Sequence, residues 1–137
     1  MLLKFGFLFF GLVYSPMIIK RIKELPYTQE NIDKYKSKDN MLKHARYTKG
    51  VSSGIFLTKS DELVGYIGWE GEEIICLEVT KKYRGHGFAK YMLEKAIKSG
   101  CKTLHVTSSN TPAISLYQSL GFKEVERIGN RIKMVLN

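Results

Sequence analysis

The chain has 137 residues, which is enough for one domain with a single hydrophobic core. Apolar residues make up 44% of it, with 8 Tyr, 7 Phe and only 3 Pro, and this composition excludes a disordered protein. The formal net charge of +9 favours a polyanionic partner, either a phosphorylated cofactor or nucleic acid.

The N-terminal segment is apolar but short. Its run from Phe5 to Tyr14 is interrupted only by two glycines, whereas a bilayer-spanning helix needs about 20 apolar residues. The segment resembles a signal-peptide core, but no small-x-small cleavage site follows it. It is a membrane or partner anchor, an additional packed element, or sequence that precedes the domain. We expect the last: an extension over residues 1–16, a domain over residues 17–137, and no membrane association unless residues 1–16 anchor the chain.

The first half of the domain contains a strand, two helices and a three-stranded meander. Ile18 to Ile22 alternates apolar and basic residues, which predicts a strand. Thr28 begins a helical region with a Thr-x-x-Asn start, and a second short helix is predicted from about Asn40 to Tyr47. Turn residues then separate three meander strands. These strands are predicted over residues 53–58, 63–69 and 73–79.

A glycine turn and an amphipathic helix follow the meander. The turn Arg84-Gly85-His86-Gly87 lies between the third strand and a helix that ends at Gly100. Backbone N–H groups of such a turn, with about half a positive charge at the helix N-terminus, are typical of an anion cradle. From Lys81 to Lys102 there are seven Lys or Arg and one acidic residue. The positive charge is therefore concentrated on this turn and its helix.

The last part of the domain is a strand, a helix and a hairpin. Thr103–Thr107 alternates as a strand. The next helix begins at Pro112, with Thr111 or Asn110 as its cap. Two strands follow, over residues 122–127 and 131–136. The order β-α-α-β-β-β-α-β-α-β-β predicts a mixed α/β fold, with a central twisted mixed sheet of about seven strands and four helices.

The cysteines and histidines indicate neither disulfides nor a metal site. Cys76 and Cys101 form no C-x-x-C pair, so we expect two reduced thiols in an intracellular protein. His44, His86 and His105 lack the spacing of metal ligands, so we expect no bound metal.

Two motifs resemble the signatures of the GNAT superfamily of acyl-CoA-dependent N-acetyltransferases. The first signature, Q/R-x-x-G-x-G/A after a strand, is matched by Lys82-Tyr83-Arg84-Gly85-His86-Gly87, with lysine in place of glutamine or arginine. The second, N-x-x-A-x-x-x-Y-x-x-x-G-F, is matched by Asn110, Ala113, Tyr117, Gly121 and Phe122. The motifs occur in the family's order and at its distance, and the resemblance covers residues 17 to 136.

The resemblance implies a role for each matched position. The glycine turn would hold the CoA pyrophosphate, mainly through backbone N–H groups. The residues of this site would be Lys82, Arg84, Gly85, His86, Gly87, Phe88 and Ala89. The edge of the third meander strand, Leu77 to Val79, would pair with the pantetheine arm, where a bulge in this family separates two central strands. Asn110 would contact the pantetheine, and Tyr117 would protonate the departing thiolate.

Acyl transfer from a thioester to an amine needs a neutral amine, a polarised carbonyl and a proton for the thiolate. A tyrosine, with a pKa of about 10, serves as that donor, so Tyr117 is either the acid or a core residue of its apolar stripe. Glu73 is the first candidate for the base and Glu78 the second; the alternative is that both are surface carboxylates and water takes the proton. His105 is a weaker candidate. Neither cysteine lies in an activating setting, so we expect no covalent intermediate.

We therefore expect a cytoplasmic N-acetyltransferase that uses acetyl-CoA and no metal. Its acceptor is an amine of a small molecule, peptide or protein, and the choice between monomer and homodimer stays open. One alternative is a basic nucleic-acid-binding domain, or an acetyltransferase acting on an RNA-linked amine. Against it, the basic residues converge on one turn and lack interleaved aromatics. The other is a non-catalytic CoA-binding module, and intact Asn110 and Tyr117 argue against that.

Overall fold

The computed structural model describes residues 21–36 and 51–137. In this part of the chain, seven strands form one sheet, with three helices packed on it. The strands are β1 (Ile22–Pro26), β2 (Ser53–Lys59), β3 (Glu62–Glu70), β4 (Glu73–Val79), β5 (Thr103–Thr107), β6 (Phe122–Ile128) and β7 (Arg131–Leu136). The helices are α1 (Gln29–Lys36), α2 (Phe88–Lys98) and α3 (Thr111–Ser119), and a 3₁₀ turn spans Lys81–Tyr83.

The spatial order of the strands is β1-β2-β3-β4-β5-β7-β6. The β4–β5 pair is parallel and the other pairs are antiparallel. This mixed sheet confirms the predicted fold class and strand number. The predicted helix over residues 40–47, the extension over residues 1–16 and most of the predicted strand Ile18–Ile22 lie outside the described residues. Within them, β1 begins at Ile22 and continues to Pro26, because its pairing with β2 extends that far.

Alternating side chains of the central strands fill two clusters on opposite faces of the sheet. Leu57, Val64 and Ile67 lie in a large cluster that includes buried residues of α2. Phe56 and Tyr66 lie in a smaller cluster with buried residues of α1. We call these two sides the α2 face and the α1 face. Apolar residues of α3 pack against the cluster of the α2 face as well.

The predicted start of α1 is confirmed in its details. Thr28 Oγ1 accepts a hydrogen bond of 3.2 Å from the backbone N–H of Asn31, as an N-cap does. Ile32 and Tyr35, one turn apart, are both buried against the sheet. Local sequence signals and tertiary packing therefore agree at this helix.

β4 and β5 are paired only where they begin. The parallel pairing comprises Glu73 with Thr103 and Ile74 with Leu104. Directly after these pairs, the β3–β4 register shifts by one residue and leaves Ile75 unopposed, which is a β-bulge. From the bulge to the end of β4, the described structure has no pairing between the two strands. The centre of the sheet is therefore open along a seam, which positions the site described next.

Candidate active site

The seam ends at the glycine turn that precedes α2. Gly85 and Gly87 have φ values of +84° and +85°, in the left-handed region that favours glycine. Gly87 is also the N-cap residue of α2. The first N–H groups of a helix have no intrahelical partners, and with the helix dipole they attract an anion. A Cβ placed on Gly85 would meet no heavy atom within 4 Å, so this side of the turn is open to a ligand.

A cavity of about 200 Å³ lies against the turn. It extends from the end of β4 across the turn to α3, so it has the position expected for an anionic ligand. Its lining residues are Val79, Tyr83, Arg84, Gly85, Gly87, Phe88, Ala89, Lys90 and Leu116. The structure thus brings together Val79 and five of the seven residues predicted for the pyrophosphate. Of the other two, His86 lies half-buried with its ring 6.3 Å from that of Phe88.

The seventh predicted residue, Lys82, points away from this cavity. Its Nζ lies 3.1 Å from Glu62 Oε1, and it lines a separate cavity beside the β2–β3 turn. Arg84 lines the first cavity, and its Nε donates a hydrogen bond of 3.0 Å to the Val79 carbonyl oxygen. The two cations of the motif therefore have different surroundings.

Tyr117, on α3, is half-buried beside the seam. Its ring makes an edge-to-face contact with Phe122, at 6.2 Å between centroids. Burial, and secondarily the negative charge of Glu78 on β4, raise the pKa of Tyr117. The phenol is therefore protonated at neutral pH. Asn110 caps α3, because its Oδ1 accepts from Ala113 N at 3.4 Å.

Glu73 and His105 form an ion pair or hydrogen bond where the seam begins. Glu73 Oε2 lies 3.1 Å from His105 Nδ1, and both side chains are partly exposed. The neighbours of His105 on β5, Leu104 and Val106, lie in the cluster of the α2 face. His105 is therefore on the α1 face. The sequence suggested each residue separately as a base but gave no indication that they are in contact.

The bulge at Ile75 determines which β4 residues share a face. Leu77 and Val79 pack against the cluster of the α2 face, while Cys76 packs against that of the α1 face. By alternation, Glu78 is on the α1 face. A regular strand would have put Glu73 on the face of Leu77 and Val79, but Ile74 lies in the cluster of the α2 face. Glu73 and Glu78 are therefore both on the α1 face.

Neither cysteine has the surroundings of a nucleophile. Cys76 and Cys101 are free thiols. Burial raises the pKa of each from 9.0 to about 11, so both are protonated at neutral pH and poorly reactive.

Among residues 21–36 and 51–137, no three or more His, Cys, Asp or Glu side chains are grouped so that they could hold a metal ion. Over the same residues, no helix has the length and apolar character needed to cross a membrane.

Sequence comparison relates the chain to known proteins. The sequence model of the acetyltransferase (GNAT) family matches residues 19–122. Over 74 residues, the chain is 32% identical to the peptidyl-lysine N-acetyltransferase YjaB of Salmonella typhimurium, covering 53% of this chain and 51% of that protein. Over 61 residues, it is 43% identical to the N-alpha-acetyltransferase MAK3 of Arabidopsis thaliana, covering 40% and 32%. The chain thus spans about half of the first relative and a third of the second.

Comparison with solved structures relates the fold to the same group. NAA60 of Arabidopsis thaliana in complex with acetyl-CoA superposes with a TM-score of 0.64 at 18% identity, covering 83% of this chain and 97% of that one. At this identity the likeness concerns the fold alone.

Proposed function

Because the chain belongs to the GNAT family of acetyltransferases, we propose that it transfers the acetyl group of acetyl-CoA directly to an amine of a peptide or protein. The observation that carries the proposal is the seam between β4 and β5. It has a glycine-rich anion site at one end and titratable side chains at the other. The anion site would bind the phosphates of a carrier arm, and the titratable side chains would move the protons that acyl transfer from its thioester requires.

The cofactor half of the proposal rests on the turn and the free edge of β4. The pyrophosphate would bind the N–H groups around Gly85 and Gly87, in the cavity they line. The backbone from Leu77 to Val79 would pair with the amides of the pantetheine arm, which would take the place that β5 would occupy beside a fully paired β4. Asn110 Oδ1 already accepts from the backbone of α3, so its contact to the pantetheine would come from the Nδ2 donor.

The chemistry needs one base and one acid. We assign the base to Glu73 with His105 as its partner, because their contact lies where the strands separate. The amine loses a proton to this pair and its nitrogen attacks the thioester carbon. The C–S bond then breaks, and Tyr117 gives its proton to the departing thiolate. The nitrogen of the new amide releases its remaining excess proton to solvent, Tyr117 regains a proton from solvent, and the Glu73–His105 pair returns the proton it took to solvent. Both cysteines have a raised pKa, which favours direct transfer over an acyl-cysteine route.

A peptide or protein amine is the acceptor class that three observations favour. The names of the two curated relatives describe enzymes that acetylate lysine side chains of peptides and N-terminal α-amines. Glu73 and Glu78 lie on the α1 face, where their charge attracts a cationic amine. The β6–β7 turn consists of only Gly129 and Asn130, so this hairpin leaves room for an extended acceptor.

The test has a binding arm and a turnover arm. Acetyl-CoA at 100 times its dissociation constant should raise the free energy of unfolding by about 2.7 kcal/mol. Turnover should then be measured with a peptide bearing a free α-amine, an N-terminally blocked lysine peptide, and spermidine. We expect acetylation of at least one peptide, and a large loss of turnover in Glu73→Gln without loss of acetyl-CoA binding.

The outcomes separate the alternatives. If acetyl-CoA produces no stabilisation, the proposed function is wrong. If only spermidine is acetylated, the enzyme class stands but the peptide acceptor does not. RNA binding that persists at high salt and ignores acetyl-CoA would instead support a nucleic-acid-binding domain.

A further inference from the structure

We propose that Tyr83 and Glu62 position the glycine turn for the cofactor pyrophosphate, and that Lys82 neutralises Glu62 rather than binding phosphate. The inference rests on the proposed function, which it deepens at the same site. Glu62 belongs to neither family motif, and the sequence alone did not single it out.

Two buried rings hold the ends of the exposed turn. Tyr83 precedes Arg84-Gly85-His86-Gly87 and Phe88 follows it, and both are at most 5% exposed. Their rings make an edge-to-face contact with centroids 6.2 Å apart. The four residues between them therefore form a loop whose two ends are fixed against each other, in front of the cavity that both rings line.

A short hydrogen bond connects the first of these rings to β3. Tyr83 Oη donates to Glu62 Oε1 at 2.6 Å, and Glu62 is the first residue of β3. Thr80 adds a backbone hydrogen bond of 2.9 Å from its N–H to the Val64 carbonyl oxygen. The 3₁₀ turn before the glycines is thus attached to β3 at two points, by backbone and by side chain. A phenol bonded to a carboxylate is a charge-assisted contact with a narrow range of good geometries.

The same carboxylate accounts for Lys82. Lys82 Nζ lies 3.1 Å from Glu62 Oε1 and 3.4 Å from Glu62 Oε2. Glu62 is bonded to the residue that precedes the turn, so without a cationic partner its charge would repel a bound pyrophosphate. The lysine charge offsets that repulsion. Both hydrogen bonds lower the pKa of Glu62, with that from Tyr83 first. Glu62 therefore stays ionised at neutral pH and keeps both partners.

The test compares acetyl-CoA with S-acetylpantetheine, a thioester that has no pyrophosphate. Tyr83→Phe removes the hydroxyl and keeps the ring. We expect it to weaken acetyl-CoA binding about tenfold, in line with the loss of one hydrogen bond to a charged group. The turnover number at saturation should stay within about twofold, and kcat/KM for S-acetylpantetheine should be unchanged. A general loss of folded structure would impair both thioesters.

Variants of Glu62 complete the test. Glu62→Ala should weaken acetyl-CoA binding as Tyr83→Phe does. The double variant should bind no more weakly than either single variant, because both substitutions remove the same hydrogen bond. Glu62→Gln keeps an acceptor for the phenol and should recover most of the affinity. Tyr91→Phe is the matched control, since the Tyr91 hydroxyl on α2 donates to another carboxylate, Glu24 on β1, and Tyr91 does not line the cavity at the turn. It should leave acetyl-CoA binding unchanged.

The results distinguish two failures. If the wild-type chain does not bind acetyl-CoA, the proposed function is overturned. If the wild type binds it and Tyr83→Phe and Glu62→Ala bind it equally well, only the positioning role is overturned. Equal impairment with S-acetylpantetheine would also overturn it. If Tyr83→Phe does not fold, Glu62→Ala decides, because the Glu62 side chain is 50% exposed and its removal leaves no large cavity.

Discussion

The ring of Tyr117 has the surroundings of a core residue, and its hydroxyl has those of a proton donor. Its ring packs on Phe122 and belongs to the apolar stripe of α3. Burial, and secondarily the negative charge of Glu78, raise the pKa of the Tyr117 hydroxyl above the ordinary value of 10.0. A raised pKa keeps the proton on the phenol across the neutral range, as the proposed role of proton donor requires.

We predict that Tyr117→Phe lowers the turnover number on the order of 100-fold and leaves the dissociation constant of acetyl-CoA almost unchanged. The ring, which supplies the packing, is retained, whereas the proton that the thiolate needs is lost. Steady-state kinetics and direct titration of acetyl-CoA measure the two quantities separately. The control is Gln118→Ala, the exposed neighbour on the same helix. Full turnover in Tyr117→Phe would leave the tyrosine as a core residue only.

Contacts between residues on different strands could not be predicted from the sequence. Glu73 and His105 were each named as candidate bases, but they are 32 residues apart and nothing local indicates their contact. The pairing of Glu73 with Thr103 on the neighbouring strand brings them together. Glu62 was missed altogether. The register that brings Glu62 opposite Lys82 depends on the bulge at Ile75, since the Glu70–Glu73 pair at the turn, continued without a bulge, would put Glu62 opposite Lys81.

At the scale of elements, local signals were sufficient for most helices and strands. The N-caps Thr28 and Asn110 both accept the expected backbone hydrogen bonds. The turns predicted between strands at Ser60-Asp61 and at Gly129 are confirmed. Both have the positive φ values that are common in turns, which glycine adopts most easily. The bulge at Ile75 had no local signal, since residues 74–77 are all apolar and show no alternation that a bulge would interrupt. Only the family resemblance predicted it.

The glycine turn offers a matched pair of substitutions at the two ends of α2. Gly85 and Gly100 have φ values of +84° and +107°, and a Cβ on either meets no heavy atom within 4 Å. Alanine at each should therefore cost about 1 kcal/mol or more of stability through backbone strain alone. We predict that only Gly85→Ala also weakens acetyl-CoA binding, by at least tenfold, because its Cβ enters the space of the pyrophosphate.

Denaturant unfolding and acetyl-CoA titration of both variants check this pair. Comparable losses of stability with a loss of binding confined to Gly85→Ala would support the cradle. Equal binding by the two variants would mean that the pyrophosphate lies elsewhere.

At the scale of the whole molecule, opposite charges are concentrated on opposite faces of the sheet. Seven of the 22 Lys and Arg residues lie between Lys81 and Lys102, around the turn and α2. The carboxylates Glu73 and Glu78 lie on the α1 face of β4. A polyanionic carrier on the side of α2 and a cationic amine on the α1 face are the partners that this distribution attracts. Increasing the salt concentration should therefore weaken the binding of both substrates.

Protons held by buried groups make the folded state sensitive to alkaline pH. Burial raises the pKa of Cys76 and of Cys101 from 9.0 to about 11. Burial, followed by the hydrogen bond to Glu62, raises the pKa of Tyr83 from 10.0 to about 12. Above about pH 9, the unfolded chain loses these protons while the folded chain keeps them. Stability therefore falls with rising pH, since the folded state then binds more protons.

We predict that the free energy of unfolding is constant with respect to these groups below pH 9 and falls steadily from pH 9 to about pH 12. Urea unfolding midpoints between pH 8 and pH 11 measure the slope. Cys101→Ala should reduce the slope from pH 9 upward, whereas Tyr83→Phe should reduce it only above pH 10, because each variant removes one titrating group. A slope that neither substitution changes would show that these protons are not what couples folding to alkaline pH.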